Sequence, residues 1–217
     1  MRHSRLSLAI VLAVFIALLV GPSVLDAQRR APGPIRIVLL VDSSQAMASM
    51  LTHFRAALNA FLDALHGNPE VAFISTGGQI RVRVPPTSDR EVLRQAVGRF
   101  SSDGGGNSFL DTMVEADKRF LKVAPDKRSV FVMLMTDNGA FRGEPRLDEY
   151  NRFMNEFVDR GGRAHAIVVT SVTNGVTTTV LMNLTSNTNG FYDTIAVPNP
   201  LPERMKSLAE FVALDQL

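Results

Sequence analysis

Residues 35–41, Ile-Arg-Ile-Val-Leu-Leu-Val, form a nearly unbroken apolar run rich in β-branched side chains. A strand with one wet face alternates polar and apolar residues. A run like this one has to be covered on both faces, as the central strands of a parallel sheet are. Residues 129–136 and 164–170 repeat the pattern. Between the runs the period becomes helical. Met47, Leu51, Phe54, Leu58, Phe61, Leu62 and Leu65 make one apolar stripe over residues 45–66, and Gly67-Asn68-Pro69 stops it. Similar stripes predict helices over residues 89–100 with Ser88 as N-cap, then over 109–123, 147–159, 176–187 and 200–214. Residues 71–75 and 191–195 read as short strands. Residues 79–84 alternate polar with apolar after a Gly77-Gly78 turn and before Pro85-Pro86, which suits an antiparallel edge strand. Strands alternating with helices give an α/β fold: a doubly wound, mostly parallel central sheet with one antiparallel edge strand and helices on both faces, Rossmann-like in type. Such sheets bind ligands at the carboxyl ends of their strands, where the strand order reverses.

The N-terminus bears on the compartment. Arg2, His3 and Arg5 precede an apolar run over residues 8–20, Gly21-Pro22 breaks it, and Leu25-Asp26-Ala27 ends in a small residue. This order is that of a secretory signal peptide over residues 1–27, and the run is short of the roughly 20 residues of a spanning helix. Cleavage would place the protein outside the cytoplasm, secreted or periplasmic; an uncleaved segment would anchor it to the membrane. Residues 28–34 are a polar, Pro/Gly-rich leader expected to be flexible, and residues 35–217 hold one domain. There is no cysteine, so an exported form relies on packing or a bound ion instead of disulfides. The net charge of +2 is made of interspersed charges and drops by one when Arg2, Arg5 and Asp26 are removed. No basic stripe with interleaved aromatics marks a nucleic-acid surface.

Three places can carry chemistry, two just past the ends of apolar strands and one in a glycine-rich loop. They are Asp42-Ser43-Ser44-Gln45-Ala46, Gly105-Gly106-Asn107-Ser108 and Thr136-Asp137-Asn138-Gly139. Two carboxylates and several hydroxyls form an oxygen-only set, the kind that suits Mg2+ or Mn2+. Each also has a plain structural use. Asp42, Ser43 or Ser44 can cap a helix, Asp137 with Asn138-Gly139 can make a turn, and the glycine run can be a loose loop.

Taken together, Asp42-x-Ser44-x-Ala46, Gly105-Gly106-x-Ser108 and Thr136-Asp137 resemble the von Willebrand factor type A domain and its metal-ion-dependent adhesion site. Residues 184–192 resemble the same family's segment before its final helix. The resemblance runs over residues 35–214. It implies a protein-binding module and no enzyme, with Asp42, Ser44, Ser108 and Asp137 holding the metal directly or through water. One coordination position would be left for an Asp or Glu of a partner protein. Three departures are visible. Ala46 replaces a serine of the family's Asp-x-Ser-x-Ser and removes a hydroxyl, Ser108 stands where the family has threonine, and Asn138 stands where it often has glycine. Weak metal binding is therefore expected.

Other chemistries find little support. His53, His66 and His165 lack metal-ligand spacing, no Gly-x-Ser-x-Gly elbow is present, and the glycine loop lacks the Lys-Ser/Thr ending of a phosphate loop. The alternative to a binding module is a Mg-dependent hydrolase or phosphoryl-transfer enzyme using Asp42 and Asp137.

Overall fold

The computed structural model describes residues 34–137, 147–170 and 175–215. The proposed signal segment, residues 28–33 of the leader and Asn138-Gly139 lie outside the described residues.

The elements in chain order are β1 (Ile35–Val41), a 3-10 turn (Gln45–Met50) leading into α1 (Leu51–Ala64), β2 (Glu70–Ser75), β3 (Arg81–Thr87), α2 (Arg90–Gly98), α3 (Phe109–Ala116), β4 (Arg128–Thr136), α4 (Leu147–Asp159), β5 (Arg163–Val169), α5 (Val176–Asn187), β6 (Tyr192–Ile195) and α6 (Leu201–Leu214). The six strands form one sheet in the order β3-β2-β1-β4-β5-β6. All pairs are parallel except β2–β3, the antiparallel edge. The order reverses direction between β1 and β4, so their carboxyl ends flank the crevice where doubly wound folds bind ligands.

Period-two alternation divides the core. Ile37, Leu39 and Val41 of β1 face α1, α2 and α6 through Phe54, Phe61, Leu93, Met205 and Leu208. Val38 and Leu40 face α3, α4 and α5 through Phe109, Met113, Phe153, Phe157 and Leu181. The side chains of residues 37–41 are at most 1% exposed, as a strand covered on both faces demands. Among the described residues no helix is long and apolar enough to cross a membrane.

Several local expectations are corrected. The stripe over residues 45–66 opens as a 3-10 turn, because Met47 N–H returns to the Ser44 carbonyl while Gln45 N–H is taken by the Gly105 carbonyl at 3.0 Å. Asp89, not Ser88, caps α2: its Oδ1 accepts the N–H groups of Glu91 and Val92 at 2.9 and 3.2 Å. The helix predicted over residues 109–123 widens into a π turn at Asp117–Leu121, where Lys122 N–H reaches the Asp117 carbonyl. There the buried Asp117 carboxylate meets Arg160 at 2.7 Å. β3 runs on through Pro85 and Pro86, which an edge strand tolerates because it has one unpaired side. His165 is fully buried. Its Nδ1 accepts Phe191 N–H at 3.0 Å and its Nε2 lies 2.7 Å from Asp215, so the ring links β5 to the chain just past α6. That is a packing role.

Candidate functional site

The site is built on the loops that follow β1, β2 and β4. Asp42 follows β1 and is completely buried. Its Oδ1 accepts Ser44 N–H at 2.7 Å. Its Oδ2 accepts Thr136 N–H at 3.1 Å and also the Thr136 hydroxyl. The sequence pair Thr136-Asp137 thus contributes its threonine to Asp42, across the β1–β4 junction. A carboxylate offers about four lone-pair directions, and these bonds use three.

Ser44 is 2% exposed, and its hydroxyl is buried without a hydrogen-bond partner. It precedes the 3-10 turn yet makes no side-chain cap bond, so the capping alternative fails for Ser44. A buried hydroxyl left without a partner costs about 1–3 kcal/mol. Such a group beside a carboxylate that binds its own backbone is what a hard cation would satisfy. Ser43 points elsewhere: its hydroxyl donates to Asp103 at 2.7 Å and accepts Gly77 N–H at 2.9 Å.

Ser108 stands before α3. Its N–H and its hydroxyl both reach the Thr76 carbonyl, at 2.8 and 2.7 Å. The hydroxyl hydrogen is thereby committed, and the oxygen lone pairs remain available. Thr76, just past β2, also donates its hydroxyl to Asn107 at 2.7 Å. Asp137, half-buried past β4, is engaged differently. Its two oxygens accept Thr177 N–H at 3.2 Å and Thr178 N–H at 2.8 Å, so it caps α5 from outside that helix. Gly175 makes room for this: a Cβ there would lie 1.9 Å from Asp137 Oδ2. Asp137 therefore does more than start a turn.

The glycine-rich loop is pinned to the loop after β1. Asp103 N–H binds the Ser43 carbonyl at 2.7 Å, and the Ser102 hydroxyl binds the carbonyls of Ser43 and Ser44 at 3.1 Å. Gly77 packs so closely on the loop after β1 that a Cβ would fall 2.3 Å from the Ser43 carbonyl carbon. The Asp103 carboxylate collects Ser43, Ser75 at 3.1 Å, Arg83 and Arg81, the last at 2.8 Å. Burial pushes its carboxyl up, but the Ser43 hydroxyl and the Arg83 guanidinium outweigh burial and hold it below the usual aspartate value. Sequence reasoning passed over Asp103, Thr76 and Arg83, because no local motif links them to Asp42. The bonds Ser43–Asp103, Arg83–Asp103 and Ser108–Thr76 join residues 20 to 60 positions apart.

The donors present are two carboxylates and hydroxyls. Among the described residues there is no group of three or more His, Asp or Glu that could hold a metal. Ala46, half-buried on the 3-10 turn, adds no oxygen. Asp42, Ser44 and Ser108 fit a hard cation in chemistry, and Asp137 fits with the lone pairs that α5 leaves.

Residues 37–141 match the family model described as von Willebrand factor type A domain. The chain carries a von Willebrand factor type A domain. Solved structures agree on its fold. The von Willebrand factor type A protein from Catenulispora acidiphila aligns with TM-score 0.67 at 18% identity, over 82% of this chain and 42% of that one. The present chain therefore spans less than half of that protein. The conserved hypothetical protein BatB from Bacteroides thetaiotaomicron aligns with TM-score 0.65 at 13% identity, over 83% of this chain and 98% of its own. The manganese-loaded TRAP protein of Plasmodium vivax aligns with TM-score 0.58 at 16% identity, over 76% of this chain and 70% of its own. No curated protein sequence matches. Von Willebrand factor type A domains are a family of protein-interaction and adhesion modules.

Proposed function

We propose that this von Willebrand factor type A domain is an extracytoplasmic protein-binding module, for adhesion or scaffolding, that grips an Asp or Glu side chain of a partner protein through Mg2+ or Mn2+. The observation that carries the reading is the buried Ser44 hydroxyl without a partner, two residues from a fully buried carboxylate. A manganese-loaded protein of the same fold supports it, and the signal-like residues 1–27 motivate the compartment.

In this reading Asp42, Ser44, Ser108 and Asp137 hold the cation, some of them through water. When bound, the ion supplies an electrophilic position for the partner's carboxylate. Asp42 holds the Ser44 loop against β4 through its bonds to Ser44 and Thr136. Thr76 aims Ser108 by accepting its hydroxyl hydrogen. Hydrolase chemistry would need Asp42 or Asp137 as a proton acceptor. Both oxygens of each already accept main-chain N–H groups, an arrangement suited to holding position.

The test is a Mg2+ and Mn2+ titration of the full chain, of Ala46→Ser and of Ser44→Ala, read by calorimetry and by melting temperature. Each ordered water that substitutes for the missing hydroxyl costs up to about 2 kcal/mol. Recovering part of that in Ala46→Ser tightens binding by roughly tenfold over the parent. Ser44→Ala should show no metal effect. If the parent and Ala46→Ser both match Ser44→Ala at millimolar metal, the cation reading falls.

A further inference from the structure

Arg81 opens β3 at the same edge of the sheet as Ser44. Its side chain is 56% exposed, and it binds Asp103 Oδ1 through Nη1 at 2.8 Å. The other oxygen of Asp103 is taken by Arg83, Ser43 and Ser75. Arg83 is 14% exposed and commits its Nε to the Ser75 hydroxyl at 2.9 Å. Two guanidinium groups thus share one carboxylate, which among the described residues leaves one positive charge unbalanced. Arg81 is the member of the pair that reaches solvent.

Arg81 also lines an open cavity of about 330 Å3 with Gly77, Gly78, Gln79, Asp103 and Gly105. Glycines make up half of that lining, which leaves the cavity open on that side. The cavity adjoins the Ser44 loop: Gly105 accepts Gln45 N–H, Asp103 N–H binds the Ser43 carbonyl, and neighbouring Ser102 binds the carbonyls of Ser43 and Ser44. The cavity that Arg81 lines is thus bonded directly to the segment that carries Ser44.

We propose that the Arg81 cavity is a second carboxylate site, and that the domain reads two acidic side chains on one extended partner segment. The first acid occupies the cation position, so this part rests on the function proposed above; the second pairs with Arg81. The planar guanidinium fork matches a carboxylate in bidentate fashion and carries its charge at every working pH. The spare charge is single, so one further carboxylate neutralises it. The ligand class is an acidic peptide segment with two nearby Asp or Glu residues.

The experiment uses the full chain labelled with 15N and three kinds of Gly/Ser peptide: without acid, with one Asp, and with two Asp set one to four residues apart. Each is titrated in Mg2+ and in chelator, with the parent, Arg81→Ala, Arg81→Lys and Ser44→Ala. The two-Asp peptide of best spacing should shift the Gly78 and Gly105 amides in both solvents. In Mg2+ it should bind at least about tenfold tighter than the one-Asp peptide, a gain lost in Arg81→Ala and reduced in Arg81→Lys. Ser44→Ala should lose the Mg2+ dependence and keep the Gly78 and Gly105 shifts. If those amides do not move with any acidic peptide, or move in Arg81→Ala as they do in the parent, the second site is wrong. Metal-dependent binding with equal affinity for one and two acids also overturns it and leaves the cation reading standing. Arg81-dependent shifts with an affinity that Mg2+ does not change support the cavity and sink the cation reading.

Discussion

Asp42 and Asp137 occupy equivalent places, each one residue past a buried parallel strand, yet they are held by different parts of the molecule. Asp42 is fully buried, and its partners are its own turn and the neighbouring strand. Asp137 is half-buried, and its partners are the first amides of α5, forty residues further on. Identical strand-end positions therefore do not give identical supports. The Asp42 half shares the stability of the sheet. The Asp137 half is only as firm as the first turn of a helix, and helix ends open more readily than central strands.

The largest expected effect is on the Asp42 side. Asp42→Ala leaves the N–H groups of Ser44 and Thr136 and the Thr136 hydroxyl buried without an acceptor. At about 1–3 kcal/mol for each stranded donor, the variant should lose at least about 3 kcal/mol in urea unfolding. A loss below about 1 kcal/mol breaks the comparison, because Asp42 would then be no better anchored than an ordinary helix cap.

The Asp137 side should respond less, and through α5. Removing the cap in Asp137→Ala should cost about 1 kcal/mol. Gly175→Ala puts a methyl where Asp137 Oδ2 lies, so one of them has to move, at a cost of about 2 kcal/mol. In the double variant the methyl enters the space the carboxylate vacates. The penalty for Gly175→Ala should then fall by about 1 kcal/mol, the coupling expected of residues in contact. Strict additivity in that cycle would show that Asp137 does not seat α5.

How much of this was legible beforehand follows from the range of each interaction. The three buried strands, α4 and α5 follow from local periodicity, and the bounds of the two helices agree with the structure. The doubly wound, mostly parallel sheet with one antiparallel edge strand follows from chain alternation and crossover handedness, whereas the strand order is set by long-range pairing. Asp42, Ser44 and Ser108 stood out because strand-end and loop positions can be read along the chain. Their wiring could not be read. That Thr136 serves Asp42, that Thr76 aims Ser108, and that Asp103 ties Ser43 to Arg81 and Arg83 are contacts across the sheet edge. No spacing rule encodes them. The Asp89 cap and the π turn at Asp117 were missed for a smaller reason, since helix ends are decided by single hydrogen bonds.

The smallest effect concerns the brace behind the Asp42 half. Asp103 is held below the usual aspartate value of 3.8, because the Ser43 hydroxyl and Arg83 outweigh its burial. A carboxyl whose folded value is depressed contributes stability that is fully present above the unfolded value. That contribution is lost as pH falls through the folded one. Its window therefore lies below about pH 4, on the acid side of a free aspartate. Asp117 is the internal contrast: burial pushes its carboxyl above 3.8 despite Arg160 and Lys122, so acid relieves it. Urea unfolding at pH 6 and pH 3.5 separates the two. The stability gap between the parent and Asp103→Asn should narrow on acidification, by a fraction of about 1 kcal/mol, while the parent's standing relative to Asp117→Asn should improve. Because Asp103 touches the Ser43 loop and makes no bond to Asp137 or α5, its protonation should raise amide exchange at Gly77 and Gln45 before Thr177 and Thr178. Exchange that rises first at Thr177 and Thr178 would mean that acid opens the Asp137 half, and that the two halves of the site do not rest on separate supports.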